Sequence, residues 1–377
     1  MNILRHLPLS RLLLLCAVAL AVATGATALA LAVGAGPTPP PKPLAQALHD
    51  ALGAPKPSGV TARIQLTNRL LEGANLAGGG GGEASQLSSS PLISGASGRL
   101  WVGSDGRARL ELQSEKGDTQ ILWDGKTAEM YDASTNTLFR YTPKQSSAAA
   151  ATGSSGSSAQ SGSPSQVHRF PPNLSEVQEG IAHAEEHAVL SGAIPADVAG
   201  QSAYTVRVSP REDGGLIAGA EVSWDAVHGN PLRAAIYSTS SSAPVIELAA
   251  TEISYGQPES SALEFTPPAN AKVQNVELPE GKPEQSSGTS EDREKPQVSV
   301  HGKGLGAIVL AQSPVKSGSE SLPSELEELQ QVNIDGSKAS ELPTQLGTLL
   351  TFERAGVRYL LVGSVTPSAI EAFARSL

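Results

Sequence analysis

Between Arg99 and Tyr141 the chain leaves almost no room for anything but short antiparallel strands. Turn-forming residues sit at Ser104-Asp105-Gly106, Lys116-Gly117-Asp118, Asp124-Gly125 and Ser134-Thr135-Asn136, and the runs between them alternate apolar with polar side chains. In Arg107 to Gln113 the period of two puts Ala108, Leu110 and Leu112 on one face and Arg107, Arg109, Glu111 and Gln113 on the other. This is a meander with one dry face, and what covers that face decides between an ordinary core and a ligand cavity.

The rest of the chain repeats the theme. After a Pro-rich spacer, Leu44, Leu48 and Leu52 recur every four residues and predict a short amphipathic helix. Val60 to Leu71 alternates as a strand, and the glycines at 78–82 with the serines at 88–90 read as a loop. Residues 146–165 are Ser/Ala/Gly low complexity and read as a mobile loop. Asn173 is placed to cap a helix carrying Leu174, Val177, Ile181 and Ala184 on one face. Strands follow at 203–209, 216–224, 232–238 and 245–255, then at 263–268 and 272–278. The order is helix, meander, helix, meander. A second linker at 279–297, rich in Pro, Glu, Ser and Gly, leads to a small α+β unit over 298–377. There, strands are expected at 298–300 and 307–310, a short helix at 324–331 and a hairpin around Ala355-Gly356. A closing helix is capped by Thr366 with Pro367 at its first position.

At its start the chain carries Arg5 and Arg11 and then no charge from Leu12 to Val33, which is an export signal. The run is long enough to span a bilayer, so residues 1–36 are either a cleaved signal peptide or an anchor, with the body outside in both cases. The only cysteine, Cys16, lies in this run behind four leucines, where it reads as a small apolar filler rather than a lipid-attachment site. The exported part therefore has no disulfide and no thiol nucleophile. The formal charge is −10, and without the N-terminal segment and its two arginines it is −12. With no basic stripe to neutralise phosphates, nucleic-acid binding is excluded as a class.

Several strings in this order resemble the LolA-like superfamily, the periplasmic lipoprotein carriers and their RseB-type relatives, in particular actinobacterial exported versions. They are Gly98-Arg-Leu-Trp-Val102 with Arg107-Ala-Arg-Leu110, Gln120-Ile-Leu-Trp-Asp-Gly-Lys126 leading to Met130-Tyr-Asp132, Ala203-Tyr-Thr-Val-Arg-Val-Ser-Pro210, and Leu263-Glu-Phe-Thr-Pro-Pro268. The resemblance covers roughly residues 44–278, and the tail is similar to small C-terminal units on exported proteins of this kind. It implies an α+β fold, a half-open antiparallel β-barrel over 37–278 with helices covering its concave face, plus the C-terminal unit. It further implies a non-catalytic, monomeric, cofactor-free carrier holding a lipid or lipoprotein acyl chain, or a stress sensor that binds a membrane protein partner.

A cavity of that kind would be lined by Trp101, Leu110, Leu112, Leu122, Trp123, Tyr131, Tyr204, Val206, Val208, Val222, Trp224, Tyr237 and Leu248. Two features point elsewhere. His183-Ala-Glu-Glu-His187 matches the H-x-x-E-H pattern of inverted zinc peptidases and places two imidazoles one helical turn apart, so a zinc-binding exported protein is a third reading. His301-Gly-Lys-Gly-Leu-Gly306 lacks the full phosphate-binding glycine spacing and reads as a tight turn between strands. No nucleophile-elbow or P-loop string is present.

Overall fold

The computed structural model describes residues 38–72, 91–115, 117–143, 171–212, 215–276, 297–315 and 329–377. The export segment with Cys16, the loops at 78–82, 88–90 and 146–165, and nearly all of the linker lie outside these residues. Among the described residues no helix is long and apolar enough to cross a membrane.

The first meander runs through β1 (Gly59–Asn68), β2 (Ala96–Gly103), β3 (Ala108–Ser114), β4 (Gly117–Trp123), β5 (Ala128–Asp132) and β6 (Thr137–Tyr141). The second comprises β7 (Ala188–Leu190), β8 (Ile194–Val198), β9 (Gln201–Pro210), β10 (Ile217–Asp225), β11 (Pro231–Ser238) and β12 (Pro244–Tyr255), and is followed by β13 (Lys272–Asn275). Pairing of β1 with β12 joins the two meanders into one 13-stranded sheet whose path runs from β13 and β6 to β9 and β7. The expected half-barrel is thus an open sheet, with no barrel closure among the described strands. It is also mixed, because β13 runs parallel to β6. That strand comes after the chain has crossed the sheet from β12, and a return along β6 in the same direction needs a long crossover.

Directly paired residues of neighbouring strands share a face, and successive residues of a strand alternate between faces. The ladder Leu66–Leu248, Leu100–Leu110, Leu110–Ile121 and Ile121–Met130 therefore defines one inner face. Helix α1 (Leu44–Gly53) lies on the β9–β10 end of this face, with Leu44, Leu48 and Ala51 packed against Tyr204, Val206, Val222 and Trp224. A one-turn helix, α2 (Pro91–Ser94), packs against β1, β3 and β4. Helix α3 (Leu174–Glu185) packs against α1 and β7, and Asn173 and Glu176 form a capping box at its start, as the sequence predicts.

A second sheet has the order β14 (Gln297–His301), β15 (Ile308–Pro314), β19 (Val357–Gly363), β18 (Thr348–Arg354), β17 (Ser337–Pro343) and β16 (Gln330–Ile334). All its pairs are antiparallel. Helix α4 (Pro367–Arg375), capped by Thr366, covers one face through Ile370 and Ala374. Gln330 and Gln331, expected to end a helix, instead start β16. The Asp335-Gly336 turn, with both residues at positive φ, folds β16 back on β17. The two sheets meet through loops, where the Ser364 carbonyl accepts from Leu216 N at 2.8 Å and the Leu70 carbonyl from Gln345 N at 3.0 Å.

Candidate functional site

The inner face is the candidate site. Under α1 it is sealed. Tyr204 and Trp224 are buried with their rings 6.2 Å apart, and the Tyr204 hydroxyl donates to the Pro40 carbonyl at 2.6 Å, tying the chain ahead of α1 to the sheet. Lys42 bonds Asp50 at 2.7 Å across the helix, and this bond is the main cause holding the Asp50 carboxyl below its ordinary range. At the far end of α1 the β10–β11 turn closes against Ala51. Gly229 has φ +69°, and a Cβ there would stand 2.1 Å from the Ala51 carbonyl oxygen, so only glycine lets the turn approach the helix.

That turn is organised by a buried carboxylate. Asp225 accepts from the backbone N–H of Val227 and of His228 at 2.7 Å each, and from the Tyr255 hydroxyl at 2.6 Å. Burial alone would push its pKa up, but these hydrogen bonds prevail and hold it below the usual carboxylate value. Burial, with the bond to Asp225, pushes the Tyr255 phenol up.

Away from α1 the same face is sealed only in part: Ala62, Ile64, Ala96 and Leu112 form a second buried cluster, and α2 packs on β1, β3 and β4. Leu66, Leu100, Leu110, Ile121, Trp123 and Met130 are half-buried, and Leu248, in the middle of the sheet, is 45% exposed. Gly98 lies in this stretch opposite Ile64 and Leu112, where a Cβ would come 1.9 Å from the Glu111 carbonyl oxygen. The result is an apolar strip running from β5 to β12 that is buried at Ala62, Ile64 and Leu112, half-buried around them, and exposed at Leu248.

Of the residues expected to line one cavity, Leu110, Leu112, Trp123, Tyr204, Val206, Val208, Val222, Trp224 and Leu248 share this face. Trp101, Leu122, Tyr131 and Tyr237 do not. Trp101 and Leu122 both pair with Arg109, Tyr131 pairs with Gln120, and the Tyr237 hydroxyl accepts from Arg233 at 2.8 Å, which places all four on the opposite face. The period of two forbids the adjacent residues Leu122 and Trp123 from lining one cavity. The inner positions there belong to Ile121 and Met130, neighbours of residues that the expectation named.

The outer face has its own packing. A strap over residues 257–268, with a 3₁₀ turn at Ser260–Leu263, crosses β2 and β3. The Arg109 guanidinium lies 5.4 Å from the Trp101 ring and 5.7 Å from Phe265, and donates to the Glu264 carbonyl at 2.8 Å. The ring of Phe265 also meets that of Tyr131 at 5.4 Å. The Leu263-to-Pro268 string is therefore a fastening of the outer face. Nearer β10, Arg233 bonds Glu221 at 2.6 Å and also bonds Glu247 and Tyr237. Burial opposes its charge, yet those partners raise its pKa, while burial pushes Glu221 up. An arginine held on a sheet face by two carboxylates and a phenol is a structural group.

His183 and His187 are exposed on α3 and the turn after it, and among the described residues no group of three or more His, Cys, Asp or Glu side chains could hold a metal ion. Residues 301–306 form the expected turn between β14 and β15, with a 3₁₀ turn at Gly304–Gly306.

No protein-family model matches the chain, and no curated protein matches it in sequence. Among solved structures it is similar to MucB in complex with MucA(peri), at 15% identity over 87% of this chain and 95% of that one, with a TM-score of 0.41. A complex of Pseudomonas aeruginosa MucA and MucB matches at 13% identity over 87% and 95%, with a TM-score of 0.39. A LolA superfamily protein from Nitrosomonas europaea matches at 8% identity over 85% and 90%, with a TM-score of 0.18. All three likenesses are at low identity.

Proposed function

We propose that this chain is an exported, non-catalytic binding protein that lays an acyl chain of a lipid or lipoprotein along the inner face of its large sheet. The supporting observation is the exposed Leu248 at the β12 end of an apolar strip that the described helices cover only in part. Each methylene buried on such a strip contributes about 0.8 kcal/mol, so a long chain binds without specific polar contacts. Helix α1, fastened at its ends by the Tyr204–Pro40 bond and the Gly229–Ala51 approach, bounds the strip at β9–β10.

The test is native mass spectrometry with lipid extraction on the full chain, released from host membranes in a mild detergent, followed by uptake of a fluorescent fatty acid. Close to one co-purified acyl lipid per chain, and uptake that falls at least tenfold in Leu248→Glu, is the expected outcome. A lipid-free mass together with no uptake by the wild-type chain would end this reading. A second reading, a sensor that takes a segment of a membrane protein, is favoured by the fully exposed edge strand β14 with Val298 and Val300 in the open. A stoichiometric protein partner in the same preparation, with no lipid, would favour it.

A further inference from the structure

The H-x-x-E-H string is not used by the binding face, and its geometry carries a separate reading. Helix α3 is rigid at its start because Asn173 accepts from Glu176 N at 3.0 Å while Glu176 accepts from Asn173 N at 2.8 Å. Its far end keeps turning past Glu185, because Glu186 N donates to the His183 carbonyl at 3.3 Å and His187 N to the Ala184 carbonyl at 3.2 Å. These i→i+3 bonds put His187 in the tightened turn just past the helix, and its ring still lies near that of His183, with centroids 6.1 Å apart at an interplanar angle of 79°.

We propose that His183 and His187 form a two-imidazole site for a divalent late transition metal, with zinc and copper the best suited. Three features support it. Metal–nitrogen bonds of about 2.0–2.1 Å from one nitrogen of each ring span a separation of this size after a small swing of exposed side chains. The Glu186 carboxylate lies 3.3 Å from His183 Nδ1, the arrangement that keeps the proton on Nδ1 and leaves Nε2 as the metal-facing donor. Imidazole pairs select borderline ions over calcium and magnesium, which take oxygen ligands. With Glu186 engaged at His183 Nδ1, and no group of three or more His, Cys, Asp or Glu placed to hold an ion among the described residues, the remaining coordination positions take water, so the ion exchanges freely. The site lies apart from the apolar strip, and its occupancy does not depend on lipid binding.

The experiment uses the full chain without a polyhistidine tag, in mild detergent, with zinc followed by calorimetry and copper by electron paramagnetic resonance. One ion per chain is expected. The copper spectrum should show splitting from two nitrogens, and affinity should fall at least tenfold in His183→Ala and in His187→Ala. His228→Gln, elsewhere in the fold, should leave both readouts unchanged. Two results would overturn the proposal. One is wild-type affinity no higher than that of His187→Ala, and the other is the two-nitrogen signal surviving in the double variant, which would assign the ion to other histidines.

Discussion

The two sheets solve the same problem with helices of nearly equal length and arrive at different results. In the C-terminal sheet the nine residues of α4 seal the covered face, leaving Leu310, Ile334, Leu350, Phe352, Leu361, Ile370 and Ala374 without appreciable exposure. In the large sheet the ten residues of α1 seal only the β9–β10 end, while Leu248 remains exposed four strands from the first meander's centre. A helix of about ten residues spans roughly 15 Å, which covers about three strands at 4.8 Å spacing. On the six-stranded sheet one such helix, with its Phe373 and the neighbouring Val365 packed against the cluster, closes a core over β15 to β19 while the edge strand β14 stays exposed. On the thirteen-stranded sheet one such helix and the buried cluster of Ala62, Ile64, Ala96 and Leu112 still leave Leu248 exposed and its neighbours half-buried, and that surplus is the surface proposed above for the ligand.

The largest expected effect tests the closed side of this comparison against the open side. Phe352→Ala removes a ring stacked on Tyr359 at 4.8 Å in a site with no exposure to relax into, and should cost about 3–5 kcal/mol of unfolding free energy. Leu248→Ala, at a position already half in water, should cost about 1 kcal/mol or less in the same urea titration. Equal losses at the two sites would mean that the strip is a core after all.

Much of this contrast is legible in the sequence, and the part that is not has identifiable causes. The helix–meander–helix–meander order, the Asn173 and Thr366 caps and the hairpin at Ala355-Gly356 follow from local turn and cap chemistry, which a sequence carries residue by residue. The β16–β17 hairpin, turned at Asp335-Gly336, is not legible in the same way, because its strands contain Gln330, Gln331, Ser340 and Glu341 and look polar rather than strand-like. Which face a large side chain takes is harder to see in the sequence. Trp101, Leu122, Tyr131 and Tyr237 are large and apolar, and size alone suggested the cavity. Their outer position follows from alternation with Leu100, Ile121, Met130 and Ile236, and from the strap of residues 257–268 that makes an apolar outer position tenable. That strap is a contact between residues more than a hundred apart, and nothing local announces it.

A closed core also reacts to charge in a way that an open face does not. Glu341 on β17 is almost wholly buried on the helix side of the sheet, and one of its oxygens, Oε1, has no hydrogen-bond partner. Burial pushes its pKa up, and the nearby Glu371 on α4 adds to this. A carboxyl raised in the folded state contributes stability that is fully present below the unfolded glutamate value. That stability is lost as pH rises through the higher folded value. Thermal unfolding of the chain should therefore show stability falling across that window. Glu341→Gln should flatten the profile and gain on the order of 1 kcal/mol at neutral pH. An unchanged profile in the variant would show that another group controls the slope.

The smallest effect concerns how firmly α1 bounds the open strip. Tyr204→Phe deletes only the hydroxyl that donates to the Pro40 carbonyl at 2.6 Å, leaving the ring against Trp224 and Val206 in place. One such bond contributes about 0.5–1.5 kcal/mol, too little to unfold the sheet but enough to loosen the segment ahead of α1 several-fold. Hydrogen exchange should report this as faster exchange at the amides of α1, with β9 and β10 unchanged. If α1 must shift for a ligand to enter or leave, fatty-acid release from Tyr204→Phe should quicken by a similar factor, while Leu248→Glu lowers uptake at least tenfold. Faster helix exchange with unchanged release would make α1 a fixed wall, and the ligand would then enter along the partly covered strands between β5 and β12.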